Sequence, residues 1–315
     1  YDEMSDELVT KYGALVSITN RSGDTPLDKC KRLLAQRLHE RAVETGQDLK
    51  KIPYKDQSWL GLKTHRSRDA TLSRSKGINV RDLHLTEELS SSPSSISYRG
   101  RWEGNEIVAK LLKLRECTPR ISREFNEEFP KLRIFSHPNI LPVLGCSNSP
   151  PDLVVISQYV PHGSLYSVLH ESTSQVVVHS AQALKFSLDI ARGMSFLHSL
   201  ERGLPPYYLS SLHVMIDEDL TARLSMSDAK FSFQDKGKFY HPAWMAPEAL
   251  KKKSSEINVK AADMWSFAIV LWELATRNVP FSDLSPMEAG MKIAMENLRI
   301  SIPPGTSPHM SKLIK

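Results

Sequence analysis

Four short stretches of the 315-residue chain hold side chains able to do chemistry. Lys110 interrupts the apolar run 107–114, and an ammonium there is a compact point charge for an anion. Asp228-Ala229-Lys230 sets a carboxylate two residues from a second ammonium. The first is a hard oxygen ligand suited to one Mg2+ and the second neutralises phosphate charge. Residues 206–213 read Pro206-Tyr207-Tyr208-Leu209-Ser210-Ser211-Leu212-His213. A tyrosine of ordinary pKa, about 10, is a poor acceptor for a hydroxyl proton at neutral pH, and a neutral imidazole is a poor ligand for Mg2+. Ser90, Ser91, Ser92, Ser94 and Ser95 crowd one segment, where hydroxyls such as that of Ser94 can donate to phosphate oxygens. These groups suit the binding of a phosphate-bearing ligand better than the removal of a proton. Cys30, Cys117 and Cys146 are too few and too scattered for a disulfide framework or a C-x-x-C zinc site, and point to a reducing compartment.

The elements that must position these groups follow from pattern. Hydrophobic residues make up 40% and charged residues 24% of the chain, a globular composition with room for about two domains. The longest apolar run, 265–275, is about half a membrane span and contains Glu273, so no transmembrane segment is expected. Runs at 107–114 and 153–160, the second lying between Pro151 and Pro161, read as strands. Leu184, Leu188, Ala191 and Leu197 recur at helical spacing, and residues 264–274, apolar on nearly every side, read as a helix at the centre of a large domain. Strands first and helices after predict an α+β fold, a small β-rich lobe followed by a larger helical one. The net charge of +5 is concentrated: between residues 50 and 82, nine Lys or Arg face three acids. Residues 47–82 therefore read as a basic linker, a solvated connector whose charge suits contact with an anionic membrane. No aromatic residues interleave with this charge at stacking spacing and no zinc or helix-turn-helix signature accompanies it, so nucleic acid is not an expected partner. With Tyr1 first and an uncapped apolar-basic pattern at Lys315, the chain reads as a piece cut at both ends.

Two resemblances organise these elements. In residues 1–46, Gly23-Asp24-Thr25-Pro26-Leu27, followed by Leu33, Leu34, Leu38 and Ala42, resembles the G-x-T-P-L signature of an ankyrin repeat, with Asp28 where histidine is usual. That implies the C-terminal end of an array whose other repeats lie upstream. Further on, Val108-Ala109-Lys110, Glu128 nine residues before His137-Pro138-Asn139-Ile140, Ala246-Pro247-Glu248 and Asp263-Met264-Trp265-Ser266-Phe267 stand in the order found in protein kinases. Residues 83–315 thus resemble the bilobal kinase fold, truncated at its C-terminus. The resemblance implies that Lys110 reaches nucleotide phosphates and pairs with Glu128, and that Gln158 and Val160, in Gln158-Tyr159-Val160, meet adenine. Ser90, Ser92 and Ser95 replace the glycines of the phosphate loop, where serine takes positive φ only at a cost. Tyr208 replaces the catalytic aspartate, His213 replaces the metal-binding asparagine, and Asp228 and Lys230 belong to an altered D-F-G motif in which Asp228 is the metal ligand. No catalytic residue is assigned. Pro130, two residues after Glu128, breaks the helix and leaves the Lys110–Glu128 pair open.

The ankyrin end, the basic linker and this altered kinase domain, together with Ile52-Pro53-Tyr54-Lys55-Asp56, Arg133-Ile134-Phe135-Ser136, Gly163-Ser164-Leu165-Tyr166 and Ile302-Pro303-Pro304-Gly305, are similar to the integrin-linked pseudokinase family. The resemblance implies a cytoplasmic scaffold at cell-matrix adhesions, such as focal adhesions and muscle attachment sites. Its ankyrin repeats would bind a PINCH-type LIM adaptor, and its kinase-like domain parvin and integrin β tails, linking them to actin. ATP with Mg2+ would be a structural ligand. The alternative is an active serine/threonine kinase of the tyrosine-kinase-like group with an unorthodox catalytic loop. Loss of a general base costs about 10² to 10⁴ in rate, which favours the scaffold.

One further segment carries a surface expectation. Ser285 can cap a helix that Pro286 begins, with Glu288 three residues after the cap. Met287, Met291 and Met295 then recur every four residues. Met295 is expected in the core against Trp265 or Trp272, whereas Met291 and Lys292 are expected to contact parvin.

Overall fold

Among the described residues, four helices start with the same pair, a hydroxyl residue followed by proline: Thr25-Pro26, Thr118-Pro119, Ser285-Pro286 and Ser307-Pro308. Each hydroxyl accepts a hydrogen bond from an amide of the first turn, and each proline fills a position whose amide has no partner. The computed structural model describes every residue except 1, 12, 21–22, 54–77, 103, 135–136, 173, 201–206, 235–240 and 253–255. It divides the chain into two units, Tyr1–Trp59 and Leu60–Lys315.

In the first unit, helices α1 (Asp2–Thr10), α2 (Pro26–Lys29) and α3 (Arg32–Glu44) enclose a small core of Val9, Val16, Leu38 and Ala42. Thr25 and Asp28 form a reciprocal capping box at the start of α2. Of the expected α3 stripe, Leu38 and Ala42 are buried, whereas Leu33 is 85% exposed. Ile52 pairs in parallel with Ile18, and Lys51 Nζ lies 2.8 Å from Asp28 Oδ2. Most of the expected basic linker, residues 54–77, lies outside the described residues.

The second unit begins with strands β1 (His84–Ser91), β2 (Ser95–Trp102) and β3 (Asn105–Leu112), then helix α4 (Pro119–Glu128). Pro130 ends α4 as expected, and the chain tightens into a 3-10 turn over Phe129–Leu132. Strands β4 (Ile140–Leu141), β5 (Val143–Ser149) and β6 (Asp152–Gln158) follow. The main sheet runs β1-β2-β3-β6-β5, antiparallel throughout. Next come α5 (Leu165–His170), α6 (Ser180–Ser199), β7 (Val214–Ile216) and β8 (Ala222–Ser225), the last two joining β4 in a small sheet of order β4-β8-β7. Helices α7 (Pro247–Lys251), α8 (Val259–Thr276), α9 (Pro286–Met295) and α10 (Pro308–Ile314) complete the unit. A β-rich part followed by a helical part is the α+β order read from the sequence.

Two helix faces differ from expectation. On α6, Leu184 and Leu188 point outward, while Ala183, Phe186, Ile190, Gly193 and Met194 are buried. The helix carries two apolar stripes, and Gly193 selects between them: a Cβ there would stand 2.9 Å from both Asn139 O and Leu224 Cδ1, so only the glycine face can approach β8 this closely. On α9, Met295 is 76% exposed and is not core. Ala289 and Ile293 supply the buried side of that short helix, and the methionine stripe lies off it. Helix α8 is buried along most of its length, as its composition predicts, although Met264 is exposed.

Candidate functional site

Strand β3 aims Lys110 into a cleft closed on the other side by the turn Met226–Asp228 that follows β8. The Lys110 ammonium is bonded to the Asp228 carboxylate and donates to Ser227 O at 3.2 Å. Burial, the largest single influence, pushes the Asp228 pKa upward, but the Lys110 charge, His213 and the hydrogen bonds from Lys110 and Ser225 together outweigh it and the carboxyl falls to about 2. Lys230 stands in the same field: burial, then the Lys110 charge, lower its pKa to about 8. Two ammonium groups therefore converge near one carboxylate. Glu128 is not part of this set. Helix α4 ends on it, and its carboxylate instead accepts from Ser232 N at 2.9 Å, so the pair left open by Pro130 does not form.

Below the cleft, the expected catalytic segment is held by its own hydrogen bonds. Tyr207 Oη donates to His213 O at 2.9 Å, and His213 Nδ1 lies 2.8 Å from Tyr208 O. Burial, then Asp263, raises the Tyr208 phenol pKa, and burial keeps Tyr207 protonated far into the alkaline range. Neither phenol is a proton acceptor at neutral pH. Burial depresses the His213 pKa and brings that of His241 to about 3. The ring centroids of these two histidines are 5.4 Å apart. Pro206 of this segment lies outside the described residues.

The remaining sequence candidates lie on β6, on the turn between β1 and β2, and on α9. Gln158 ends β6 opposite Ile107, Tyr159 N donates to Glu106 O at 3.3 Å, and the buried Val160 accepts from Gly163 N through its carbonyl. The serine segment is a tight turn between β1 and β2. Ser92 Oγ accepts from Ser94 N and Ser95 N at 3.3 and 3.1 Å, and Ser94 O accepts from Lys113 N. Ser94 thus lies three residues before Ser97, the β2 partner of Lys110. Met291 and Lys292 stand apart on α9, Met291 being 61% exposed.

Lys110 and Lys230 suit the phosphates of a nucleotide, and Asp228 supplies one hard oxygen donor for a single Mg2+. A second Mg2+ does not fit, because the nearby donor is the His213 imidazole. Sequence reasoning did not find His241, an isolated histidine before a proline, nor the use of Glu128 as acceptor for Ser232. It also passed over Glu273, fully buried on α8. Glu273 accepts from Ser211 Oγ at 2.8 Å and Trp244 Nε1 at 2.6 Å, with His170 Nε2 at 3.1 Å. The only signal was a carboxylate inside an apolar run.

Residues 83–315 match the family model described as protein tyrosine and serine/threonine kinase. The chain is 57% identical over 288 residues to the integrin-linked protein kinase homolog pat-4 of Caenorhabditis elegans, an alignment that spans 91% of this chain and 61% of that protein. It is 55% identical over 291 residues to the human scaffold protein ILK, spanning 92% and 64% respectively. To the serine/threonine-protein kinase CTR1 of Arabidopsis thaliana it is 28% identical over 239 residues, 74% of this chain and 29% of that one. The chain therefore spans just over three fifths of the length of the two integrin-linked relatives.

Proposed function

This chain belongs to the protein tyrosine and serine/threonine kinase family, and we propose that it works there as a pseudokinase, a scaffold that joins other proteins at cell-matrix adhesions. The observation that carries this reading is the state of Tyr208. At the place of the catalytic base stands a phenol whose burial makes it a weaker acid still, and the cleft carboxylate, Asp228, is already engaged by Lys110. Losing base assistance alone costs about 10² to 10⁴ in rate. The names of the human and nematode relatives support the scaffold and its integrin setting.

In this reading α9 docks parvin through Met291 and Lys292, integrin β tails meet the kinase-like unit, and the ankyrin end belongs to a surface for a PINCH-type adaptor. ATP, with one Mg2+ on Asp228, is a structural ligand held by Lys110, Lys230 and the Gln158–Val160 hinge. ATP should raise the melting temperature of the purified full-length protein while no ADP accumulates. A turnover of about 1 per second, abolished by Lys110→Met, would overturn the scaffold in favour of an active serine/threonine kinase. The double change Met291→Ala, Lys292→Ala should weaken parvin binding at least about tenfold with an unchanged melting curve, since Met291 is exposed and Lys292 does not belong to the buried side of α9 formed by Ala289 and Ile293. Full-strength binding by this variant in titration calorimetry places the docking surface elsewhere.

A further inference from the structure

His213 closes the turn Ser211–His213 just before β7, and His241 immediately precedes the turn Pro242–Trp244, so two distant parts of the chain bring two imidazoles together. Their ring centroids lie 5.4 Å apart with the planes at 74°. Two imidazoles sharing one ion, each with a metal–nitrogen bond of about 2.0–2.1 Å and a near-tetrahedral angle, have ring centres about 5 Å apart. We propose that His213 and His241 form a binding site for a borderline divalent transition ion, with Zn2+ as the reference, on the floor of the Lys110–Asp228 cleft.

Three further features support the site. His213 Nδ1 is 2.8 Å from Tyr208 O, so Nδ1 carries the proton and Nε2 keeps its lone pair. A ring nitrogen donating to a backbone carbonyl is the arrangement that orients metal-binding imidazoles. The Tyr207 hydroxyl bond to His213 O fixes the same residue from its backbone side, and His241 packs edge-on against Trp244 at 6.2 Å. Imidazole also suits zinc, cobalt or nickel, where hard Mg2+ prefers oxygen.

The charged groups around the pair define the rest of the coordination. Asp228, Lys110 and Lys230 all act on His213 and His241, and one carboxylate against two ammonium groups leaves the surroundings of a bare dication short of negative charge. No third protein ligand completes a three-residue site among the described residues. The open positions are therefore for water or for phosphate oxygens. A nucleotide brings both those oxygens and the missing negative charge, so ion and nucleotide should tighten each other by the same factor. This last step rests on the nucleotide reading above; the histidine pair does not.

The test is a titration of the full chain with Co2+, a visible-absorbing stand-in for Zn2+, without and then with ATP, and a competition by Zn2+ and by excess Mg2+. The wild type should give one saturable absorption band that Zn2+ removes and Mg2+ does not. His213→Ala and His241→Ala should each weaken Co2+ binding at least about tenfold. Should either alanine variant lose its fold by circular dichroism, His213→Asn and His241→Gln carry the same comparison. An absent band, or one that survives the double substitution, overturns the proposal. Co2+ binding through the pair that ignores ATP keeps the site and removes the nucleotide reading. ATP binding that ignores both substitutions and both transition ions keeps the nucleotide and removes the site.

Discussion

Glu273 and Asp228 are two carboxylates of one unit, and their surroundings are opposite. Glu273, fully buried on α8, takes hydrogen bonds from Ser211 in the expected catalytic segment and from Trp244 before α7, with His170 of α5 also in range. Three separate elements are tied to the central helix through one side chain. Asp228 is bonded to Lys110 and lies among two imidazoles that burial keeps neutral and the Lys230 ammonium. The helical part thus keeps a polar network whose members are paired, whereas the cleft offers charges that hold one another and no free base.

The largest expected effect lies at Glu273. Replacing it by alanine strands three buried donors and should cost about 3 kcal/mol or more in urea unfolding, and Glu273→Gln, which retains an acceptor oxygen, should cost less. A loss below about 1 kcal/mol for the alanine variant would erase the contrast with the cleft. Next comes the Lys110–Asp228 pair. The native Asp228 pKa, about 2, lies below its ordinary 3.8, so the unfolded chain binds the proton first as pH falls. The pair's stabilisation is complete above the ordinary value and fades as pH drops towards 2. That difference corresponds to about 2 kcal/mol. Lys110→Met should raise the Asp228 pKa and shift acid unfolding to higher pH, and superimposable stability curves between pH 2 and 6 would refute the pairing. The smallest effect belongs to Met295→Ala on exposed α9, expected to stay within about 0.5 kcal/mol. A cost of core size would show that the methionine face is packed after all.

The sequence announced what depended on local chemistry. The helix starts at Pro26 and Ser285 and the stop at Pro130 need only a hydroxyl, a proline and their neighbours, and all formed as such chemistry requires, while the like cap at Thr118 went unread. The meeting of Lys110 with Asp228 was not legible, because motif order implied Glu128 as the partner of Lys110 and Asp228 takes that place instead. What stayed hidden needed a third dimension. Helix α6 offers two apolar stripes of equal spacing, and only the close approach at Gly193 decides between them. Met295 shares its periodicity with core residues but faces water because α9 is too short to be wrapped. His241 carries no local signal at all, since its meaning comes from His213, far away along the chain.

Gly290 of α9 lies so near Pro242 that a Cβ would stand 3.0 Å from the proline ring. Pro242 opens the turn that ends at Trp244, and the indole of Trp244 is bonded to Glu273 on the central helix. A push on the outer methionine face of α9 is therefore handed across a bare backbone contact to a rigid ring, then through one hydrogen bond to the central buried helix of the unit. The exposed helix rests like a bracket on a beam, and pressure on its outer face is passed to the interior rather than to the loops at its ends.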